Sequence, residues 1–298
     1  MKFQIVCDSS ADLPQSYTND ANLTVVPFYV SLDGQSYQKE RTEMTIPEFY
    51  QAMVDHPDCF PKTSMPSIQD YINVFLPLVK QGIPVLCICL TKVFSGSMQS
   101  ANNARAAILE DYPDAQIYVM DSMLVTALEG LFVKEAVRLR DLDLDLETTI
   151  SLLEGIRSSG VIFFTTKDLK YLQRGGRLGK VVSIAGSMLN LKPVLFFNNG
   201  ALGNTEICRG RKRSLQKIIE RFIRYLKDNN IDLKDYYFAT GIGIDVPEYE
   251  EFQQTLQAAF NQTGIQPEQW GHAQIGATIG VHTGPYPMGL GILKKCDI

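Results

Sequence analysis

The stretch 84-PVLCICLTKVFSGSMQSANNARAAILE-110 decides the fold. Its first seven residues form a short apolar run between a proline and a polar loop, the pattern of a strand buried on both faces. Cys87 and Cys89 share one strand face, because side chains alternate with a period of two. From about Ser97 to Glu110 the pattern becomes helical. A fully buried strand that passes through a small-residue loop into a helix is the repeating piece of a parallel sheet.

Outward from this stretch the alternation continues. FQIVC (3–7) reads as a strand and LTVVPFYVSL (23–32) as one extended region. TIPE (45–48) is a capping box, with Thr45 at the N-cap, Pro47 early and Glu48 three residues on. It predicts a helix to about Asp55. Ser67 caps a second helix, which Pro77 kinks and Gly82 ends. QIYVMDS (116–122) is another strand, followed by a helix over about 123–139. The first half is therefore expected to hold a mostly parallel sheet with helices on both faces.

The second half reads differently. A helix near 147–158 leads into VIFFTT (161–166) and then DLKYLQRGGRLGK (168–180). KPVLFFNNGALGNTEIC (192–208) places an Asn199-Gly200 turn between two apolar runs, the strongest hairpin signal in the chain. A basic helix (about 211–228), YYFATGIGI (236–244), a helix (about 248–262), HAQIGATIGV (272–281) and GLGILKK (289–295) follow. This is an α/β domain of α+β type with a hairpin and helices. The acidic stretch 141-DLDLDLETT-149 marks the expected boundary, giving domains 1–145 and 146–298.

Composition narrows the function. Of 298 residues, 45% are hydrophobic and 20% charged, and the formal net charge is −5. That balance does not favour nucleic acid or an anionic membrane surface. No apolar run approaches the roughly 20 residues of a spanning helix, so no transmembrane segment is expected, while transient membrane contact stays compatible. The six cysteines form no CxxC pair and no zinc-ligand spacing. With no export signal at the start, a cytoplasmic location is expected. No metal and no cofactor is called for.

Three strands of the first half run into hydroxyl-rich loops: DSSADL (8–13), TKVFSGSMQSA (91–101) and Asp121-Ser122. TSMPS (63–67) lies just before a helix. Ligands of doubly wound sheets bind beyond the carboxyl ends of the strands. Ser95-Gly96-Ser97 enters a helix whose free N–H groups suit an anionic oxygen. No Lys or Arg lies within TSMPS or SGS, so one carboxylate fits better than a triphosphate. Ser and Thr before helices are also ordinary caps. Near the end, His282 sits among Gly280, Gly284, Pro285, Pro287 and Gly289, as a polar anchor or as a structural hydrogen-bonder.

Taken together, DSSADL, TSMPS, SGSMQSA, LQRGGRL and IGVHTGP resemble the motifs of the DegV family, in family order and over residues 8 to 285. The resemblance implies a two-domain α/β protein that binds a long-chain fatty acid between its domains. It further implies a lipid-binding carrier subunit, not itself an enzyme, that presents the acyl carboxylate to a separate ATP-dependent fatty acid kinase. The product would be an acyl-phosphate for phospholipid synthesis. By motif, Thr63, Ser64, Ser95 and Gly96 would hold the carboxylate, with His282 close by. Arg177 and Arg209 would face the kinase rather than the ligand. The chain departs from the family pattern at Met65, where Gln is common, at Ser97, where Thr is common, and at Tyr286-Pro287, where a glycine and a small residue are usual. Candidate tunnel residues are Phe163, Phe164, Leu189 and Ile279.

Three alternatives compete. A serine-dependent acyl hydrolase or transferase would use Ser95 and His282, but V-F-S-G-S is not a G-x-S-x-G elbow. A nucleotide-binding enzyme would use GGRLGK or GIG (241–243), which lack the phosphate-loop and dinucleotide spacings. A lipid sensor without a kinase partner shares every motif. The basic run RGRKR (209–213) suits an acidic protein surface better than nucleic acid.

Overall fold

The computed structural model describes residues 3–18, 20–167, 169–177, 190–203, 205–268 and 270–298. Leu178, Gly179 and Lys180 of the GGRLGK motif, and Leu189, lie outside the described residues. The chain is a mixed α/β protein built on two main sheets and one small sheet.

The buried run after Pro84 forms β6 (Val85–Cys89). It pairs in parallel with β1 (Gln4–Asp8) and β7 (Ile117–Asp121), and β1 pairs in parallel with β2 (Leu23–Val26), giving the order β2-β1-β6-β7. Both faces are covered. Val6, Cys87 and Cys89 pack under α3 (Ile68–Lys80) and α4 (Ser97–Asp111). Ile5, Cys7 and Ile88 face α5 (Thr126–Asp141) and α6 (Leu146–Ile156). The Cys87 and Cys89 sulfurs lie 3.7 Å apart on one face, and all six cysteines are free thiols. A short α1 (Gln15–Thr18) precedes β2.

The extended region 23–32 is not one strand. Pro27 has no N–H to continue the ladder, so the chain leaves the parallel sheet there and restarts as β3 (Tyr29–Ser31). β3 is the middle strand of an antiparallel sheet with β4 (Gln38–Lys39) and β5 (Lys62–Ser64). TSMPS is thus half strand and half cap. Thr63 and Ser64 end β5, while Ser67 caps α3 in a box with Asp70. α2 (Ile46–Asp55) begins with the expected Thr45–Glu48 box.

The second main sheet has the order β10-β9-β8-β14-β12-β13, with β11 also paired to β9. Its strands are β8 (Val161–Thr165), β9 (Leu191–Asn198), β10 (Ala201–Leu202), β11 (Glu206–Arg209), β12 (Tyr236–Ile242), β13 (Trp270–Gln274) and β14 (Met288–Lys294). All pairs are antiparallel except β12 with β13. One face packs on α8 (Arg211–Asp228) and α9 (Val246–Thr263). HAQIGATIGV divides at Gly276 into the end of β13 and α10 (Ala277–Thr283). α10 and α7 (Lys170–Arg174) pack against α2 and the small sheet through Phe49, Tyr50, Tyr171 and Val281.

Candidate functional site

The other face of the second sheet is open in its middle. Gly289 pairs with Phe164 and Gly241, and Gly291 pairs with Ile162 and Ala239, so these six residues share one face. All six line a cavity of about 340 Å³. Glycine and alanine on β12 and β14 leave a trough, flanked by the larger side chains of β8. That volume lies within the range of small-molecule sites, about 300–1,000 Å³. The alternation in ATGI (239–242) and GLGI (289–292) carried this signal: small residues on one strand face, larger ones on the other. It was missed because glycine in a strand reads as a weak strand.

The sheet's partner across the cavity is the loop after β6. Thr91 donates from its hydroxyl to the Gly200 carbonyl (2.8 Å), tying that loop to the Asn199-Gly200 turn. Phe94, Ser95 and Gly96 then line the cavity. Gly96 is the N-cap of α4 and makes no side-chain cap, and Ser97 N donates to Ser95 Oγ (3.1 Å). A Cβ at position 96 would come within 2.6 Å of Met65 Sδ, so the Met65 side chain packs on the glycine. Thr63, Ser64 and Met65 form the adjoining wall, with Ser64 and Met65 exposed.

His282 reaches the same place from the last turn of α10. Its Nε2 lies 3.4 Å from Thr63 Oγ1, and its Nδ1 has no hydrogen-bond partner among the described residues. Burial, assisted by the Arg177 charge, pushes its pKa down to about 4, so the ring is neutral near pH 7. A histidine serving a nucleophile is held by a carboxylate at its other ring nitrogen; here that nitrogen faces Gly175.

α10 is fixed by the first half of the chain. Gly276 N donates to Asp12 Oδ1 (2.9 Å), and Thr278 donates from its N (2.9 Å) and its hydroxyl (2.7 Å) to Glu40. Two carboxylates thus satisfy N–H groups at the positive end of the helix. Gly276 has no room for a side chain there, because a Cβ would strike Asp12 and Glu40. Burial, opposed by Arg41 and assisted by Glu40, pushes Asp12 up to about 7.

Thr63, Ser64, Ser95, Gly96 and His282 therefore line one cavity. Arg177 lines it as well: its Nε donates to the Phe94 carbonyl (3.1 Å) and its Nη1 to the Gly175 carbonyl (2.6 Å). Arg209 lies apart, exposed at the end of β11. Of the apolar candidates, Phe164 and Ile279 line the cavity. Phe163 does not, because alternation turns it to the opposite face, where its ring meets Phe222. Pro287 is a cavity wall packed on Gly243, and the Tyr286 ring lies under Lys167 Nζ, 3.4 Å from its centroid.

The polar groups are unevenly used. Among the lining residues, the hydroxyls of Thr126, Thr278 and Thr283 donate to Asp12, Glu40 and the Ile279 carbonyl. By contrast, Ser95 has no acceptor for its hydroxyl proton among the described residues, and Ser64 has only a 3.5 Å contact to the Met65 carbonyl.

Residues 2–295 match the family model for "Uncharacterised protein, DegV family". The chain belongs to the DegV family. A DegV domain-containing protein of Caldanaerobacter subterraneus subsp. tengcongensis is 32% identical over 296 residues, 99% of each chain. Among solved DegV-like structures, a stearic acid-binding protein of Eubacterium ventriosum superposes with a TM-score of 0.91 at 39% identity, covering 98% of each chain. A fatty-acid-binding DegV family protein of Thermus thermophilus superposes with a TM-score of 0.84 at 28% identity, covering 99% of this chain and all of that one. Among the described residues, no helix is long and apolar enough to cross a membrane.

Proposed function

We propose that this DegV protein binds one long-chain fatty acid between its two halves, divided near residues 145–146, and presents the carboxylate to a separate ATP-dependent kinase. The observation that carries the reading is the uneven use of polar groups. Among the lining residues, His282 Nδ1 has no partner and the Ser95 hydroxyl proton has no acceptor among the described residues, while the rest of the wall is apolar or has its hydroxyls bonded elsewhere. Such a wall suits a ligand with one polar head and an unsubstituted tail. Each buried acyl methylene stabilises the complex by ~0.8 kcal/mol, so the tail supplies affinity and the head needs only orientation. Thr63, Ser64, Ser95, the α4 N-terminus at Gly96 and the neutral His282 supply that without a buried ion pair.

The presentation step is supported by exposure. Ser64 and Met65 are open to solvent beside the polar end, and Arg177 spans that end between the two halves. A kinase could reach the carboxylate there without the tail leaving the cavity. Arg209, on a different part of the surface, would meet the same partner as a rim charge. The fatty acid relatives make the ligand class the expected one, in a cytoplasmic carrier. Organic extraction of the purified protein followed by mass spectrometry tests it: a fatty acid is expected in the extract. Delipidated protein that accepts no long-chain fatty acid would overturn the reading.

A further inference from the structure

The DSSADL loop contributes no side chain to the cavity, yet its polar residues are buried. Asp8 accepts four hydrogen bonds. Ser10 N (3.3 Å) and Ser10 Oγ (2.6 Å) donate to Oδ1, and Leu90 N (3.0 Å) and Ser97 Oγ (2.8 Å) donate to Oδ2. The last two bonds bracket the loop that carries Ser95 and Gly96. Tyr71 OH lies 2.6 Å from Ser97 Oγ. Because the serine proton points to Asp8, the tyrosine is the donor in that pair.

Ser10 Oγ also lies 2.8 Å from Glu129 Oε2 on α5. A hydroxyl has one proton to give, so it cannot donate to two carboxylates. Both contacts are satisfied only if one carboxyl carries a proton and donates to the serine oxygen. Asp8 has three further donors, which favour its charge. The Glu129 carboxyl has no other hydrogen bond among the described residues, and its Oε1 has no partner.

We propose that Glu129 is held as a neutral carboxylic acid that donates to Ser10, and that this proton lets Asp8 clamp the Ser95–Gly96 loop in place. Burial, with the Asp8 charge next, drives the Glu129 carboxyl well above its ordinary value. Burial raises Asp8 too, but its hydrogen bonds oppose that. The other titratable groups facing the pair are Asp12, Cys7, Cys87, Cys89 and Tyr71. Arg41, the cation of this network, is engaged by Asp12 (3.5 Å) and by the Leu13 carbonyl (2.8 Å). Asp8 and Glu129 are positioning residues. The link to the loop rests on the fatty-acid reading of the cavity, whereas the proton does not.

Infrared spectroscopy of the full-length protein at neutral pH tests the proton directly. Subtracting the Glu129→Gln spectrum from that of the parent should leave the carbonyl stretch of a protonated carboxylic acid. A difference spectrum without that band would overturn the proposal. Titration of delipidated protein with stearic acid, followed by native mass spectrometry, tests the clamp. The parent should lose affinity as the solution turns alkaline and Glu129 ionises beside Asp8, and Glu129→Gln should not. Asp8→Asn should bind about tenfold more weakly, as expected for lost charged hydrogen bonds. An alkaline loss that persists in Glu129→Gln, or full affinity in Asp8→Asn, would overturn the clamp. A parent that never binds stearic acid would overturn the ligand reading while leaving the infrared result intact.

Discussion

Gly175 lies against the imidazole of His282 so closely that a Cβ at position 175 would collide with Nδ1. The glycine backbone is in the right-handed helical region (φ −71°, ψ −11°), which any residue adopts. The constraint is therefore one of space. Gly175→Ala should fold, yet push His282 away from Thr63. Overpacking of this kind typically costs about 1–3 kcal/mol. We expect weaker stearic acid loading, read by native mass spectrometry, beside an unchanged far-ultraviolet circular dichroism spectrum. Unaltered loading would mean that the position of His282 is unimportant.

The trough offers a way to change chain length. Unlike Gly289 and Gly291, whose Cβ atoms would strike neighbouring backbone, Gly241 has only ordinary contacts with Ile275 at 3.4 Å. Gly241→Val should therefore be tolerated by the strand while filling part of the cavity. The fatty acids extracted from it should be shorter than those from the parent. An identical lipid profile would place the acyl chain off this face.

Two buried groups should bend the pH dependence of stability in opposite senses. His282, near 4 when folded and about 6.5 when unfolded, binds fewer protons in the native state over that interval. Its contribution to stability therefore rises with pH from about 4 to 6.5. Asp12, near 7 when folded and about 3.9 when unfolded, binds more protons in the native state, so its contribution falls over that range. Relative to the parent, Asp12→Asn should gain stability as pH rises and His282→Asn should lose it. Urea unfolding across this window checks both signs.

These relationships show what could be read from sequence. The capping box at Thr45, the cap at Ser67, the β6 strand and the Asn199-Gly200 turn were legible because each is decided by residues within a few positions. The split at Pro27 needed to be known as a change of sheet, which local pattern does not carry. The insertion of β14 between β8 and β12 is a long-range pairing, and it creates the glycine trough. Asp12 and Gly276 are 264 residues apart, so DSSADL could be matched to a family but its anchoring of α10 could not be derived. The hydroxyl motifs were found, while the neighbours Phe163 and Phe164 were both named because the strand's inner side was unknown, and only Phe164 lines the cavity.

The two arginines should now behave differently. Arg177 braces the cavity mouth through Phe94 and Gly175, so Arg177→Glu should lower both fatty acid loading and acyl-phosphate formation with an added kinase and ATP. Arg209 is exposed and outside the cavity, so Arg209→Glu should leave loading intact and lower turnover alone. Turnover unaffected by Arg209→Glu would remove that side chain from the kinase surface.

The central claim is that a fatty acid lies with its carboxylate at Thr63 and Ser95. Native mass spectrometry of delipidated protein titrated with stearic acid tests it most directly, with Thr63→Ala and Ser95→Ala measured alongside the parent. The account predicts one fatty acid per parent chain, and binding weakened in each variant by roughly 1.5–3 kcal/mol, the worth of a hydrogen bond to a charged oxygen. A parent that binds no fatty acid, or variants that bind as tightly as the parent, would contradict it.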